Sequence, residues 1–195
     1  IHPVEVAGLI ADLRLDSECV ATGLLHDTVE DTLTTIGEIE ELFGGGVARL
    51  VDGVTKIGQI NFRSREEKQA ENFRKMLLAM ASDIRVILIK LADRTHNMRT
   101  LGALSAARQQ EIAQETLDIY APLAHRLGIY WMKSELEDNA LRYLQPEVYY
   151  QLKRSVAKRR AEREHYIEDV IAQLHRQLEE NGIEAEVTGR PKHFY

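Results

Sequence analysis

Leu24-Leu25-His26-Asp27-Thr28-Val29-Glu30-Asp31-Thr32 is the stretch that decides how this chain is read. Two leucines run straight into a histidine and three carboxylates, relieved by a single valine. Each helical residue turns the direction by about 100°, so a helix here gathers His26, Asp27, Glu30 and Asp31 within an arc of roughly 140°. Leu24, Leu25 and Val29 are left for the core. A solvated helix face has no need of an imidazole crowded by three acids. A divalent-metal site does.

The flanking sequence is helical in pattern. Pro3 suits the first turn of a helix running to about Arg14, with Val6, Leu9, Ile10 and Leu13 as its apolar stripe. Asp16 or Ser17 can cap the helix that carries His26-Asp27. Thr35-Ile36-Gly37-Glu38 has the form of a capping box, and Gly44-Gly45-Gly46 stops the helix it opens. No Lys-Ser/Thr follows these glycines and no strand precedes them, so they are not a phosphate loop. A further helix covers about Val47 to Thr55. A mobile loop is expected from Lys56 to Ser64, then a charged helix from Arg65 to Met80.

Ser82 or Asp83 precedes Ile84-Arg85-Val86-Ile87-Leu88-Ile89-Lys90-Leu91-Ala92-Asp93. Its β-branched start imitates a strand. The unbroken continuation through His96, Asn97 and Met98 predicts a long buried helix. Ser105 to Leu127 reads as a helix kinked or broken at Pro122. Tyr130 to Leu144 reads as another, and Pro146 to Asn181 as a long charged helix ended by Asn181-Gly182. Ile183-Glu184-Ala185-Glu186-Val187-Thr188 alternates with period two and predicts one short strand, which alone makes no sheet.

Composition sets the outer bounds. The 195 residues suffice for one good-sized core or a domain with an appendage. No apolar run approaches the ~20 residues of a membrane span, so no membrane association is expected. The opening Ile1-His2-Pro3 is neither a signal peptide nor an initiator methionine, which predicts a fragment. Cys19 is the only cysteine. It rules out an internal disulfide framework, fits a reducing cytoplasm and reads as a buried packing residue. The net charge of −6 argues against binding along nucleic acid. The basic run Lys153-Arg154…Lys158-Arg159-Arg160 is followed at once by Glu162, Glu164, Glu168 and Asp169, and reads as a solvated helix face.

Three dispersed pieces carry the chemistry. His2 stands at the mouth of the first helix, His26-Asp27 lies in the second, and Asp93 interrupts an apolar helix, where a carboxylate must find a partner. Two nitrogens and two oxygens suit a borderline-to-hard divalent ion such as Mn²⁺, with positions left for water and substrate oxygens; zinc ranks second. Arg94 and Arg99 can clamp phosphate or pair with local carboxylates. His96 reads as structural, because Asp93 already marks the liganding face.

The order His…His-Asp…Asp on helices resembles the HD superfamily of metal-dependent phosphohydrolases. A closer likeness rests on three longer motifs. They are His26-Asp27-Thr28-Val29-Glu30-Asp31-Thr32, then Lys90-Leu91-Ala92-Asp93-Arg94-Thr95-His96-Asn97-Met98-Arg99-Thr100, then Ile119-Tyr120-Ala121-Pro122-Leu123-Ala124-His125-Arg126-Leu127-Gly128. These resemble the Rel/SpoT homologues, bacterial enzymes of alarmone (ppGpp and pppGpp) metabolism. Gly189-Arg190-Pro191-Lys192-His193-Phe194-Tyr195 looks like the opening of that family's synthetase domain.

The resemblance implies an all-α, HD-type helical bundle with a central metal cleft, plus a short β stub of a truncated second domain. It implies a hydrolase domain over 1–145, a charged helical connector over 146–182 and the start of a synthetase domain over 183–195. His2, His26, Asp27 and Asp93 would hold Mn²⁺, and Glu30 and Asp31 would be the catalytic acidic pair. Asn97 and Thr100 would line the guanosine pocket, with Arg94 a third substrate contact. Arg190 and Lys192 match synthetase positions that help bind nucleotide. The reaction implied is hydrolysis of the 3′-pyrophosphate of (p)ppGpp to GDP or GTP and pyrophosphate. The partners implied are the synthetase and regulatory domains of a longer parent. A catalytically silent regulatory module and an HD phosphohydrolase of another nucleotide are the alternatives. The intact acidic pair and the motifs around Asp93 and Pro122 count against them.

Overall fold

In the computed structural model, which describes residues 1–58, 83–157 and 160–189, every regular element among those residues is helical. The order is α1 (His2–Asp12), α2 (Ser17–Leu25), α3 (Thr28–Asp31), α4 (Ile36–Gly58), α5 (Ile84–Thr100), α6 (Ala106–Glu115), α7 (Ala121–Arg126), α8 (Tyr130–Leu144), α9 (Pro146–Ala157) and α10 (Arg160–Glu180). The expected all-α class holds. The helix expected over Arg65 to Met80 and the synthetase-like residues Arg190 and Lys192 lie outside the described residues. So does most of the Lys56–Ser64 loop; Lys56 itself belongs to α4 and pairs with Asp52.

Side-chain caps set the helix starts. Asp16 accepts from the Cys19 N–H at 2.9 Å, and Asp83 accepts from the Arg85 N–H at 2.9 Å. Thr35 and Glu38 form a reciprocal box: the Thr35 N–H donates to Glu38 Oε2 at 2.7 Å and the Glu38 N–H to Thr35 Oγ1 at 3.3 Å. Each cap satisfies an amide that the first helical turn leaves without a partner. Arg85 then ties two of these caps together, donating to Asp16 Oδ2 at 2.8 Å and to Asp83 Oδ2 at 2.7 Å.

The chain divides into two compact units, Ile1–Ala140 and Leu141–Tyr195. The core of the first joins Val6, Leu9 and Ile10 of α1, Cys19 of α2, Leu50 and Val54 of α4, and Val86, Ile89 and Ala92 of α5. Cys19 is fully buried, as expected, and burial followed by the Asp16 carboxylate pushes its thiol up to about 12. A second cluster packs Ile39, Val47, Ala48 and Val51 of α4 with Leu25 and Val29. The triple glycine kinks α4 at Gly44 (φ 86°), and helix resumes beyond it.

Pro122 does not break its helix. It has no N–H to donate, and the chain widens into a π turn over Thr116–Tyr120 just before it, where the Ala121 N–H reaches Thr116 O. That turn joins α6 to α7 and carries Tyr120 into the interior.

In the second unit helix is described on both sides of residues 158–159, as α9 and α10. Gly182 (φ 67°) ends α10, with the Ile183 N–H on Leu178 O at 2.9 Å and the Gly182 N–H on Glu179 O at 3.0 Å. The short strand predicted over 183–188 is not formed. Alternation alone does not make a strand without a neighbour to supply its hydrogen-bond ladder, and no strand exists among the described residues.

Candidate metal centre

Close approach of α1 and α2 builds the site. At Gly23 a Cβ would stand 2.6 Å from Ile10 Cδ1 and 3.1 Å from Ala7 Cα, so only glycine permits this spacing unchanged. His2, at the start of α1, thereby meets His26, just past the end of α2, with their Nε2 atoms 3.2 Å apart.

The single helix expected through Leu24–Thr32 is broken at this point. α2 ends at Leu25, the Thr28 hydroxyl turns back to Leu25 O at 2.5 Å, and α3 restarts with the Glu30 and Asp31 amides on Asp27 O. His26 and Asp27 form the junction, so a tight turn and not a shared helical arc brings them together. The reason is local: a threonine hydroxyl competes for the carbonyl that would continue the helix.

Asp93 arrives from the middle of α5. Its Oδ1 lies 3.4 Å from His2 Nε2 and 3.7 Å from His26 Nε2. The donor atoms of His2, His26 and Asp93 all lie within 4.8 Å of one another. Asp27 stands beside them, with Oδ1 3.1 Å from His26 Nε2 and Oδ2 3.6 Å from His2 Nε2. The four expected ligands are thus brought together from three separate segments.

The donor set fits a divalent cation. His26 is fully buried and its Nδ1 lies 2.8 Å from Gly23 O, an atom that only accepts. The Nδ1 proton is therefore fixed, and Nε2 is the nitrogen that faces the two aspartates. Without a cation, burial disfavours the His26 imidazolium, but Asp27 and Asp93 outweigh burial and push it up to about 10. Burial likewise disfavours the Asp93 carboxylate, yet His2, His26 and Lys90 hold it well below the usual range. Two carboxylates, Asp93 buried and Asp27 partly exposed, that make a buried imidazole recruit a proton are the environment a cation would satisfy.

Outer partners orient Asp93. The Asn97 amide donates to Oδ1 at 2.7 Å, and Lys90 Nζ lies 3.4 Å from Oδ2. Asn97, expected in a guanosine pocket, is here engaged with the Asp93 oxygen that faces His2 and His26. The Thr100 hydroxyl donates to His96 O and Asn97 O of its own helix. Arg94 is held elsewhere: it donates to Glu115 Oε2 at 2.7 Å and its guanidinium carbon lies 4.1 Å over the Tyr120 ring. Glu30 and Asp31 are exposed on α3. Desolvation raises the Glu30 pKa, Lys90 opposes it, and Asp27 and Asp31 add to it.

The sequence pattern passes over Lys90 and gives His96 a structural reading without its partner. Lys90 is buried within an apolar stretch, and His96 places Nδ1 2.6 Å from Nδ1 of His2. An unusual lysine amid Ile89 and Leu91 was the signal for the first. Nothing in the linear spacing signals the second.

Residues 1–130 match the family model described as HD domain. The chain belongs to the HD domain family. Its likeness to the Rel/SpoT homologues holds along the whole chain. It is 59% identical to a Myxococcus xanthus protein named GTP pyrophosphokinase, matching 100% of this chain and 26% of that one. It is 51% identical to Escherichia coli (strain K12) bifunctional (p)ppGpp synthase/hydrolase SpoT, over 100% and 28% respectively. It is 55% identical to a Synechocystis protein named probable guanosine-3′,5′-bis(diphosphate) 3′-pyrophosphohydrolase, over 100% and 26%. The chain therefore spans about a quarter of the length of the curated relatives it matches.

Proposed function

We propose that this chain hydrolyses the 3′-pyrophosphate of ppGpp and pppGpp to GDP or GTP and pyrophosphate, using Mn²⁺ held by His2, His26, Asp27 and Asp93. One observation carries the proposal: the His2–His26–Asp93 donor cluster is formed in a chain whose whole length matches proteins named for that hydrolysis. When bound, the ion supplies positive charge against the pyrophosphate and acidifies water. Glu30, with Asp31 beside it, takes the proton from the water that attacks the 3′-linked phosphorus and returns one to the departing ribose 3′-oxygen as the P–O3′ bond breaks. The raised Glu30 pKa suits an acid–base group better than an ordinary surface carboxylate.

Asn97 and Thr100 face the nucleoside in this scheme, and Asn97 also orients Asp93. The link of Arg94 to Glu115 and Tyr120 supports a structural role for that residue in place of the substrate contact expected. The domain division at 145/146 and 182/183, the cytoplasmic location and the partner synthetase and regulatory domains belong to the same proposal. No helix among the described residues is long and apolar enough to cross a membrane.

The test is turnover of ppGpp by this chain with Mn²⁺, alongside GTP and other nucleotides and alongside His26→Ala. The proposal expects ppGpp to be the fastest substrate and His26→Ala to be inactive. Turnover that survives His26→Ala contradicts the site, and faster turnover of another nucleotide contradicts the substrate.

A further inference from the structure

His96 stands one turn beyond Asp93 on α5, and its Nδ1 lies 2.6 Å from Nδ1 of His2, 94 residues away in sequence. The two rings are 4.7 Å apart between centroids and tilted by 56°, a geometry for a hydrogen bond and not for stacking. Two imidazole nitrogens at this distance share one proton, one nitrogen donating and the other offering its lone pair. The remaining nitrogen of His2, Nε2, faces Asp93 Oδ1, Asp27 Oδ2 and His26 Nε2.

A neutral imidazole carries one N–H. With the proton on Nδ1 of His2, Nε2 presents a lone pair to the cluster. With the proton on Nε2, His2 is no ligand. His26 solves the same problem through a backbone carbonyl, Gly23 O, at 2.8 Å from its Nδ1. His96 is the group that the fold sets at the equivalent place on His2.

Building on the metal assignment above, we infer that His96 is a positioning residue of the metal centre. Its Nδ1 accepts the Nδ1–H of His2 and so fixes the His2 tautomer and ring direction for ligation. One turn of α5 then supplies three things: the ligand Asp93, the amide of Asn97 that orients it, and the acceptor that orients His2. Outer partners of ligating histidines carry a sizeable share of metal affinity, about 10–100-fold.

The experiment measures Mn²⁺ binding to the chain by calorimetry for wild type, His96→Leu, His96→Asn and His26→Ala. Asn Oδ1 sits the same number of bonds from Cα as His Nδ1 and keeps an acceptor. Binding should weaken about 10–100-fold in His96→Leu and stay close to wild type in His96→Asn. In a His2→Ala background His96→Leu should have no further effect. Imidazole ¹⁵N shifts of the wild-type chain loaded with diamagnetic Zn²⁺ should show His2 protonated at Nδ1 and ligated through Nε2, a readout that needs no variant to fold. His2 protonated at Nε2, or His96→Leu binding as tightly as wild type while His26→Ala does not bind, overturns the role of His96 alone. Equal binding by wild type and His26→Ala removes the metal assignment and this inference with it.

Discussion

Lys90 Nζ lies 3.4 Å from Asp93 Oδ2 one turn along the same helix, and both side chains are buried. An ammonium is expensive to bury unless a charge repays it. Burial disfavours the charged form here, but Asp93, Tyr120 and Glu30 outweigh it and raise the Lys90 pKa. Lys90 thus holds the outer oxygen of Asp93 while Oδ1 faces the histidines.

Lys90→Met keeps the apolar stem and deletes the charge. It should lower stability by about 1–3 kcal/mol, the cost of leaving a buried acceptor without its partner. Urea denaturation of the metal-free chain measures this. An unchanged midpoint would show that the ammonium contributes nothing to holding Asp93.

Asn97→Ala removes the 2.7 Å hydrogen bond to Asp93 Oδ1. Mn²⁺ affinity should fall by about tenfold. If Asn97 served the nucleotide only, KM for ppGpp at saturating Mn²⁺ would rise with metal affinity untouched, and the two measurements separate these roles.

Metal binding should release a proton. The metal-free His26 is pushed to about 10, so it is protonated at neutral pH and must lose that proton to ligate. Calorimetry at pH 7 in buffers of different ionisation enthalpy should report the release of about one proton per ion. Apparent affinity should rise with pH toward 10. The stability sign is the opposite: the folded pKa exceeds the ordinary 6.5, so the contribution of His26 to the metal-free fold is complete below pH 6.5 and is lost as pH climbs through about 10. Affinity independent of pH between 7 and 9 would contradict the assignment.

Arg94→Ala should destabilise the chain without changing its Mn²⁺ affinity. The variant loses the bond to Glu115 and the stacking over Tyr120, together about 1–3 kcal/mol. Thermal unfolding and metal titration of the same variant check both halves of the statement.

Local chemistry made much of the fold legible. Asp16, the Thr35/Glu38 box, Asp83 and Gly182 mark helix ends by hydrogen bonds that reach only a few residues, and each acts where the sequence pointed. Asp93 was conspicuous because a carboxylate inside an apolar helix must be paired. The break at His26-Asp27 was hidden, since periodicity cannot see a Thr28 hydroxyl competing for Leu25 O. The strand over 183–188 failed for the converse reason: its pattern is local but a ladder is not. His96 reads as structural from sequence, and its pairing with His2 was hidden because that partner lies 94 residues away and only the α1–α2 approach at Gly23 brings His2 to the site. For Arg94 the sequence leaves open a phosphate clamp or a local carboxylate; the structure pairs it with Glu115 and sets it over Tyr120, which the π turn before Pro122 carries inward.

The most direct measurement of the central claim is product identity. The chain, loaded with Mn²⁺, is incubated with ppGpp, and the products are separated and quantified by chromatography and ³¹P spectroscopy. Hydrolysis at the 3′-pyrophosphate predicts GDP and pyrophosphate in equal amounts, at a rate that collapses in His26→Ala and Glu30→Gln. Release of orthophosphate in place of pyrophosphate, or no turnover by a folded chain shown to hold the ion, would contradict it.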